Sequence, residues 1–197
     1  MNRQSNLKKI LVTGGCGFIG SHIVDSLIKI GHQVIVVDNL STGSMKNLNP
    51  SAIFYQGDAS NNIFIDKIFS QHHFSCVIHQ SVKINTNVLH EKPTVDVDCS
   101  IKSTIVLLDN CIKHGIKNFI FASSVAVYGK SNLLPASESS IIDPIYSYGI
   151  AKYSAENYIK YYAKNYGINY YFFFCLCFFG LTRWPPGCGL ARNSRLF

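Results

Sequence analysis

Leu11-Val12-Thr13-Gly14-Gly15-Cys16-Gly17-Phe18-Ile19-Gly20 is the stretch on which the reading of this chain turns. The residues from Lys8 to Thr13 form a short strand-like run. The segment behind the glycines carries Ile23, Leu27 and Ile30 on one helical face until Gly31, which predicts a helix. A Gly-x-x-Gly-x-x-Gly turn set directly between a strand and a helix has a mechanical reason at each glycine. Gly14 permits the tight turn, Gly17 lets backbone N–H groups come close to a pyrophosphate, and Gly20 lets the helix pack against the strand. The positive end of the helix then faces the phosphates.

The same alternation continues along the chain. Gln33 to Asp38, with Val34-Ile35-Val36-Val37, reads as a strand buried on both faces, as a parallel sheet requires. Ile53 to Gln56 and Cys76 to His79 are expected as the third and fourth strands, with a helix from about Asn61 to Gln71 between them. Ile101, Ile105, Leu108 and Ile112 form a helical stripe that ends near Gly115, and Asn118 to Ser123 returns as a strand. A loop rich in Ser, Pro and Asn spans Lys130 to Pro144, Ser147 to about Asn165 reads as a helix, and the aromatic run from Tyr170 reads as a sixth strand. The expected fold class is α/β: a Rossmann-type doubly wound parallel sheet with helices on both faces and right-handed crossovers. Residues 1–181 are expected to form this domain. Residues 182–197, which include Trp184-Pro185-Pro186-Gly187, are expected to be an unpatterned, disordered tail.

The net charge of +7 is concentrated at the ends of the chain. Arg3, Lys8 and Lys9 lead it and Arg183, Arg192 and Arg195 close it, whereas residues 10–182 hold 12 bases and 11 acids. A basic face for nucleic acid is not needed to explain this, so neither nucleic acid nor membrane is expected as a partner. The longest apolar stretch, Tyr170 to Phe179, is too short for a bilayer. No apolar segment follows a basic flank at the N-terminus, and a cytoplasmic protein is expected. Seven cysteines without a C-x-x-C pair fit neither a disulfide framework nor a zinc site. Buried reduced thiols and no bound metal are expected.

Asp38 ends the second strand, 18 residues past Gly20, where a carboxylate can accept hydrogen bonds from the adenine ribose hydroxyls. Its charge would repel a 2′-phosphate, and no Arg or Lys follows within the next few residues, so NAD is favoured over NADP as cofactor. A turn-forming Asp before Asn39 is the alternative. Asp58, behind the third strand, is placed either for the adenine amino group or for a turn. Tyr148 and Lys152 stand four apart and project from one helix face. A phenol of pKa near 10 becomes a base near neutrality when an ammonium and a cationic nicotinamide stabilise its phenolate. Taken alone, the same spacing also fits a solvated helix face.

Four segments together carry a resemblance: Thr13 to His22; Asp38-Asn39-Leu40-Ser41-Thr42-Gly43; Phe121-Ala122-Ser123-Ser124-Val125-Ala126-Val127-Tyr128-Gly129; and Tyr148-Gly149-Ile150-Ala151-Lys152. In this order the chain resembles the extended short-chain dehydrogenase/reductase family of NAD-dependent epimerases and dehydratases, and within it the UDP-glucose 4-epimerase branch. The resemblance implies an NAD-dependent isomerase acting on a UDP-sugar in galactose metabolism. Tyr148 would take the proton from the C4 hydroxyl while NAD takes the hydride. Ser124 would hydrogen-bond that oxygen, and Lys152 would hold the nicotinamide ribose while lowering the pKa of Tyr148. The 4-keto sugar would then turn over and receive the hydride on its other face. The resemblance implies that Phe18, Ile19, Asp38, Asn39, Asp58, Ala59 and Lys83 contact the dinucleotide along with Gly14, Gly17 and Gly20. Dehydratases carry an Asp-Glu pair just after the serine, because loss of water needs its own acid and base. Here Val125 and Ala126 occupy those places, so dehydration is disfavoured. A homodimer is left open, since two helices of this half form the dimer contact in related enzymes.

Some positions depart from the family pattern. His79-Gln80-Ser81-Val82 stands where two alanines usually face the cofactor, and its larger side chains would crowd it; Ser100 stands in place of an asparagine. Phe174, Cys177 and Leu181 replace an arginine, a substrate-reaching asparagine and a proline. Between Arg3 and Arg183 there is no arginine to clamp a diphosphate bidentately. The C-terminal substrate lid is therefore expected to be missing, and the loss of family-like pattern near residue 172 reads as a truncated or frameshifted frame. The alternative to an epimerase is accordingly an inactive NAD-binding remnant of one.

Overall fold

A computed structural model describes residues 7–82, 93–129 and 137–175 of the 197-residue chain. Six strands form one parallel sheet: β1 (Lys9–Thr13), β2 (Gln33–Asp38), β3 (Ile53–Gln56), β4 (Cys76–His79), β5 (Asn118–Ser124) and β6 (Asn169–Cys175). Their order across the sheet is β3-β2-β1-β4-β5-β6, with every pairing parallel. The connecting helices are α1 (Phe18–Lys29), α2 (Asn62–Gln71), α3 (Pro93–Asp96), α4 (Ser103–Lys113) and α5 (Ser147–Tyr166). A π-helical segment, Val97–Lys102, joins α3 to α4, and 3-10 turns occupy Met45–Asn47 and Val125–Tyr128.

Alternation along the strands builds two cores. Leu11, Ile35, Val37, Val77, Phe119 and Phe121 face one side, where α2, α4 and α5 contribute Ile65, Phe69, Leu107, Cys111, Ala155 and Ile159. Ile10, Val12, Val34, Val36 and Ile78 face the other, where α1 contributes Val24 with Ile23 and Leu27. Both faces of β1 and β2 are thus covered, which is why these strands read as unbroken apolar runs rather than alternating ones. The expected doubly wound sheet with helices on both faces is the fold observed.

Boundaries predicted for β2, β3 and β4 match the observed ones, while β5 runs one residue further, to Ser124. The stripe predicted for α4 needs correction. Ile101, Ile105 and Ile112 are only half-buried, whereas Ser103, Thr104, Leu107 and Cys111 are buried along with Leu108. The reason is local hydrogen bonding. The Ser103 hydroxyl donates to the Cys99 carbonyl at 2.6 Å and the Thr104 hydroxyl to the Ser100 carbonyl at 2.5 Å, so these small polar residues pack inward without an unmet group.

Cysteines 16, 76, 99 and 111 are unbridged. Cys16 and Cys111 are buried as expected, but Cys76 and Cys99 are half-buried, because one opens β4 and the other lies in the π segment. The tail at 182–197 and Cys175, Cys177 and Cys188 lie outside the residues whose side chains are described. Among the described residues no helix is long and apolar enough to cross a membrane.

Replacing Leu107, fully buried in the larger core, by Ala is expected to cost about 2–5 kcal/mol. The same change at Ile63, which is 84% exposed, should stay within about 0.5 kcal/mol. Urea denaturation of the two variants checks both values.

Candidate functional site

The C-terminal ends of the strands gather most of the residues singled out above. Chain direction from β1 departs one way to β2 and the other way to β4, so the crevice above β1 is the topological switch point of the sheet. Gly14 leaves β1 with φ at +71°. Its N–H donates to the Val37 carbonyl at 2.8 Å, and the Gly17 N–H donates to the Gly14 carbonyl at 3.1 Å. Gly20 approaches the turn so closely that a Cβ on it would lie 2.1 Å from the Gly14 oxygen. Only hydrogen at position 20 allows α1 to start where it does. Gly17 caps α1 without a side-chain hydrogen bond, and the first turn has no acidic residue, so the positive helix end keeps N–H groups directed at the crevice.

Asp38 is buried, and both of its oxygens are engaged. One accepts from the Cys16 N–H at 3.0 Å and the other from the Leu40 N–H at 2.8 Å. The carboxylate therefore joins the end of β2 to the glycine turn while each oxygen retains acceptor capacity. Burial and the neighbouring Asp38 charge push the Cys16 thiol up to about 11, so it is no nucleophile here. Asn39 and Asp58 are exposed and meet each other, with the Asn39 amide donating to Asp58 at 3.3 Å. Burial raises the Asp58 carboxyl, but hydrogen bonds from Ser60 and Asn39 and the Lys102 charge outweigh it and hold the group below the usual range. Ala59 is buried beside it. Ile19 is half-buried, whereas the Phe18 ring is exposed and stands edge-on to His22 at 5.1 Å. Lys83 lies outside the described residues.

The second group sits between β5 and α5. Ser124 ends β5, and its hydroxyl accepts from the Ala126 N–H at 3.2 Å as the cap of the following 3-10 turn. That turn packs against the first turn of α5: a Cβ on Gly149 would lie 2.5 Å from the Ala126 carbonyl oxygen. Tyr148, beside Gly149, is half-buried. Lys152 is buried; its ammonium donates to the Ala122 carbonyl at 2.8 Å, stands 4.4 Å above the Phe121 ring and lies 6.0 Å from the centre of the Tyr148 ring. Lys152 thus faces β5, and Tyr148 lies half-buried one turn before it on the same helix face.

Two further residues belong to this floor: His79, named from the sequence only as a departure expected to crowd the cofactor, and Glu156, which was not singled out. His79 is fully buried between Thr13, at 2.7 Å from Nδ1, and Ser103, at 3.1 Å from Nε2. The Ser103 hydrogen is committed to the Cys99 carbonyl, so Nε2 carries the proton and donates to Ser103. Nδ1 then accepts from the Thr13 hydroxyl, whose oxygen accepts from the Ser81 N–H at 3.3 Å. Burial, assisted by the Lys152 charge, pushes His79 down to about 3, which keeps this neutral arrangement. Glu156, also buried, accepts a hydrogen bond from Ser123. Its signal was present as the four-residue spacing of Tyr148, Lys152, Glu156 and Lys160, which hydropathy alone ranks as a polar face.

Of the departing positions, Ser100 is buried in the π segment with its hydroxyl unpartnered among the described residues. Phe174 packs beside Tyr128, with ring centres 5.8 Å apart. Gln80 is buried, and the backbone of Gln80 and Ser81 comes close to Gly14. Cys177 and Leu181 lie outside the described residues. Among the described residues no three His, Cys, Asp or Glu side chains converge to hold a metal ion.

The family described as the NAD dependent epimerase/dehydratase family matches residues 10–186. A curated relative from Methanocaldococcus jannaschii is 46% identical over 162 residues, covering 82% of this chain and 53% of that protein. The UDP-glucose 4-epimerase of Thermotoga maritima, solved with UDP-glucose, superposes with a TM-score of 0.80 at 43% identity, covering 83% of this chain and 54% of that one. The UDP-glucose 4-epimerase of Thermus thermophilus, solved with NAD, gives 0.79 at 32% identity, covering 83% and 53%. The chain spans about half the length of the curated relatives it matches.

Gly20→Ala is expected to lower stability by about 1–3 kcal/mol, the scale of overpacking, because its Cβ must displace the Gly14 carbonyl; thermal and urea melts check this. His79 makes the fold acid-sensitive. Its pKa falls from about 6.5 unfolded to about 3 folded, so the unfolded chain binds the extra proton. Its contribution is full above the unfolded pKa and is lost as pH falls toward the folded one. Between pH 6.5 and 5 the loss should be about 2 kcal/mol, seen as a steeper pH dependence of unfolding in the parent chain than in His79→Gln.

Proposed function

The chain belongs to the NAD-dependent epimerase/dehydratase family, and from that premise we propose that it binds NAD above β1 and acts as a UDP-sugar 4-epimerase. The observation that carries this reading is the meeting of β5 and α5. Tyr148 stands half-buried one helical turn before a buried Lys152, and the turn headed by Ser124 packs against Gly149. Such a site serves proton transfer at a carbinol oxygen while the carbon gives up a hydride. We further propose UDP-glucose and UDP-galactose as its substrates, galactose metabolism as its setting and the cytoplasm as its compartment.

The residues present fit NAD. A Cβ at Gly20 would close the tight turn, the N-terminus of α1 is uncapped by any side chain, and Asp38 is held at the end of β2. Gly14, Gly17, Phe18, Ile19 and Gly20 would surround the pyrophosphate through backbone groups. Asp38 would accept from the adenine ribose hydroxyls and disfavour a 2′-phosphate, while Asn39, Asp58 and Ala59 would border the adenine. Lys83 is proposed to contact the dinucleotide as well.

NAD, when bound, supplies a hydride acceptor that becomes the donor for the return step. Tyr148 accepts the proton of the C4 hydroxyl and later gives it back, so it must be phenolate at the start. Lys152 favours that state through its charge and holds the nicotinamide ribose. Ser124 hydrogen-bonds the oxygen that alternates between hydroxyl and ketone. Val125 and Ala126 offer no proton to a leaving hydroxyl, so the reaction ends in re-reduction rather than loss of water.

Calorimetric titration with NAD and a coupled assay on UDP-galactose test the proposal on the full chain. NAD binding is expected in the parent and in Tyr148→Phe, with turnover lower by about 10²–10⁴-fold in the variant. Lack of NAD binding overturns the proposal. NAD binding with no turnover in the parent leaves an NAD-binding chain without epimerase activity.

A further inference from the structure

The face of α5 that presents Tyr148 and Lys152 continues with Glu156 and Lys160, each one turn further on. Glu156 is 2% exposed and Lys152 is 1% exposed, and charges this deep persist only where partners compensate for lost water. One oxygen of Glu156 accepts the Ser123 hydroxyl, a bond that crosses from β5 to α5. The other lies 3.7 Å from the Lys160 ammonium. Neighbouring residues of β5 therefore engage α5 in sequence. Ala122 accepts from Lys152, Ser123 donates to Glu156, and Ser124 heads the turn that meets Gly149.

The groups facing Glu156 are Lys152 and Lys160 from its own helix, Ser123 from β5 and Tyr128 from the turn after β5. Burial raises the Glu156 carboxyl above its ordinary range, while the Ser123 bond and the two lysine charges draw it back. The proton transfers assigned to Ser124, Tyr148 and Lys152 make no use of this carboxylate.

We propose that Glu156 is a positioning residue: through Ser123 it clamps the end of β5 to α5, and its charge balances the Lys152 ammonium and so sets how readily Tyr148 ionises. The role rests on Tyr148 being the acid–base group of the site. Eight residues of helix separate Glu156 from Tyr148, about 12 Å of rise. Removing one charge at that range, at an effective dielectric near 20, moves a titration by about one unit.

The test is ¹³C NMR on the full chain carrying tyrosine labelled at Cζ and glutamate labelled at Cδ. The Tyr148 signal is identified by its loss in Tyr148→Phe, and the Glu156 signal by its loss in Glu156→Gln. Glu156→Gln keeps the volume and the acceptor for Ser123 but removes the charge, so the Tyr148 titration should move down by about one unit. A side chain that only filled space would leave that curve in place, and an unchanged or raised Tyr148 titration overturns the electrostatic part. Ser123→Ala, which leaves the charge in place, should move the Glu156 titration to higher pH, because the ionised carboxylate loses a donor. A Glu156 titration the same as in the parent overturns the clamp. Neither measurement uses NAD or turnover, so a chain that fails to bind NAD disproves the proposed function and still reports on Glu156.

Discussion

Everything above the sheet depends on how closely α1 can begin behind β1. The Gly14 carbonyl oxygen occupies the place where a Cβ of residue 20 would project, 2.1 Å away. The helix axis is therefore brought directly over the end of the strand. The same turn is held from the side by Asp38, whose carboxylate accepts the Cys16 N–H, and from below by the bond from the Gly14 N–H to Val37. Two of these three constraints come from β2, so the glycine turn and the second strand form one unit. A change in the end of β2 would move the N–H groups of the turn even though no β2 residue lies in it.

A second constraint governs the floor between β4, β5 and α5, where charged and polar side chains are buried in an otherwise apolar interior. A buried donor or acceptor without a partner costs roughly 1–3 kcal/mol and a buried charge more, so such groups persist as networks or not at all. His79 is neutral and satisfied on both nitrogens through Thr13 and Ser103, which ties β1, β4 and α4 together. Lys152 has the Ala122 carbonyl and the Phe121 face, with Glu156 one turn away. The two networks meet in space, since the Lys152 charge acts on His79. A neutral imidazole is the form compatible with an ammonium so near it.

The strands were legible because their chemistry is simple: apolar runs such as Val34 to Val37 that end in a polar residue at the C-terminal end of the strand. The glycine turn was legible because its spacing and its place between strand and helix have a geometric cause. The inward face of α4 was not, because Ser103 and Thr104 hide their hydroxyls on backbone carbonyls one turn back, and a hydropathy pattern counts them as polar. The π segment before α4 shifts the helical phase, which a fixed 3.6-residue period cannot register. Glu156 was passed over, and His79 was read only as a crowding side chain, for a related reason. Their burial depends on partners far along the chain, Ser123 at 33 residues and Thr13 at 66, and local pattern carries no trace of such pairs. For Tyr148 and Lys152 the spacing was visible, but whether that face met solvent or β5 was decided only by the approach of Gly149 to Ala126.

The uncapped start of α1 ties these points to binding. A Ser, Thr or Asp at the cap position would satisfy an N–H of the first turn and add about 1 kcal/mol to the helix. Gly17 forgoes that gain, and no acidic residue in the first turn replaces it. The carboxylate of Asp38 is turned to Cys16 and Leu40 rather than to the helix end. The turn thus sets a positive helix end without a side-chain cap beside a fixed negative group. An anion with hydroxyls adjacent to it answers both at once, whereas a bare anion satisfies the helix but meets repulsion from Asp38. Discrimination between a dinucleotide and simple phosphate would then come from the distance between these two features, which the shared bond from Cys16 to Asp38 holds constant.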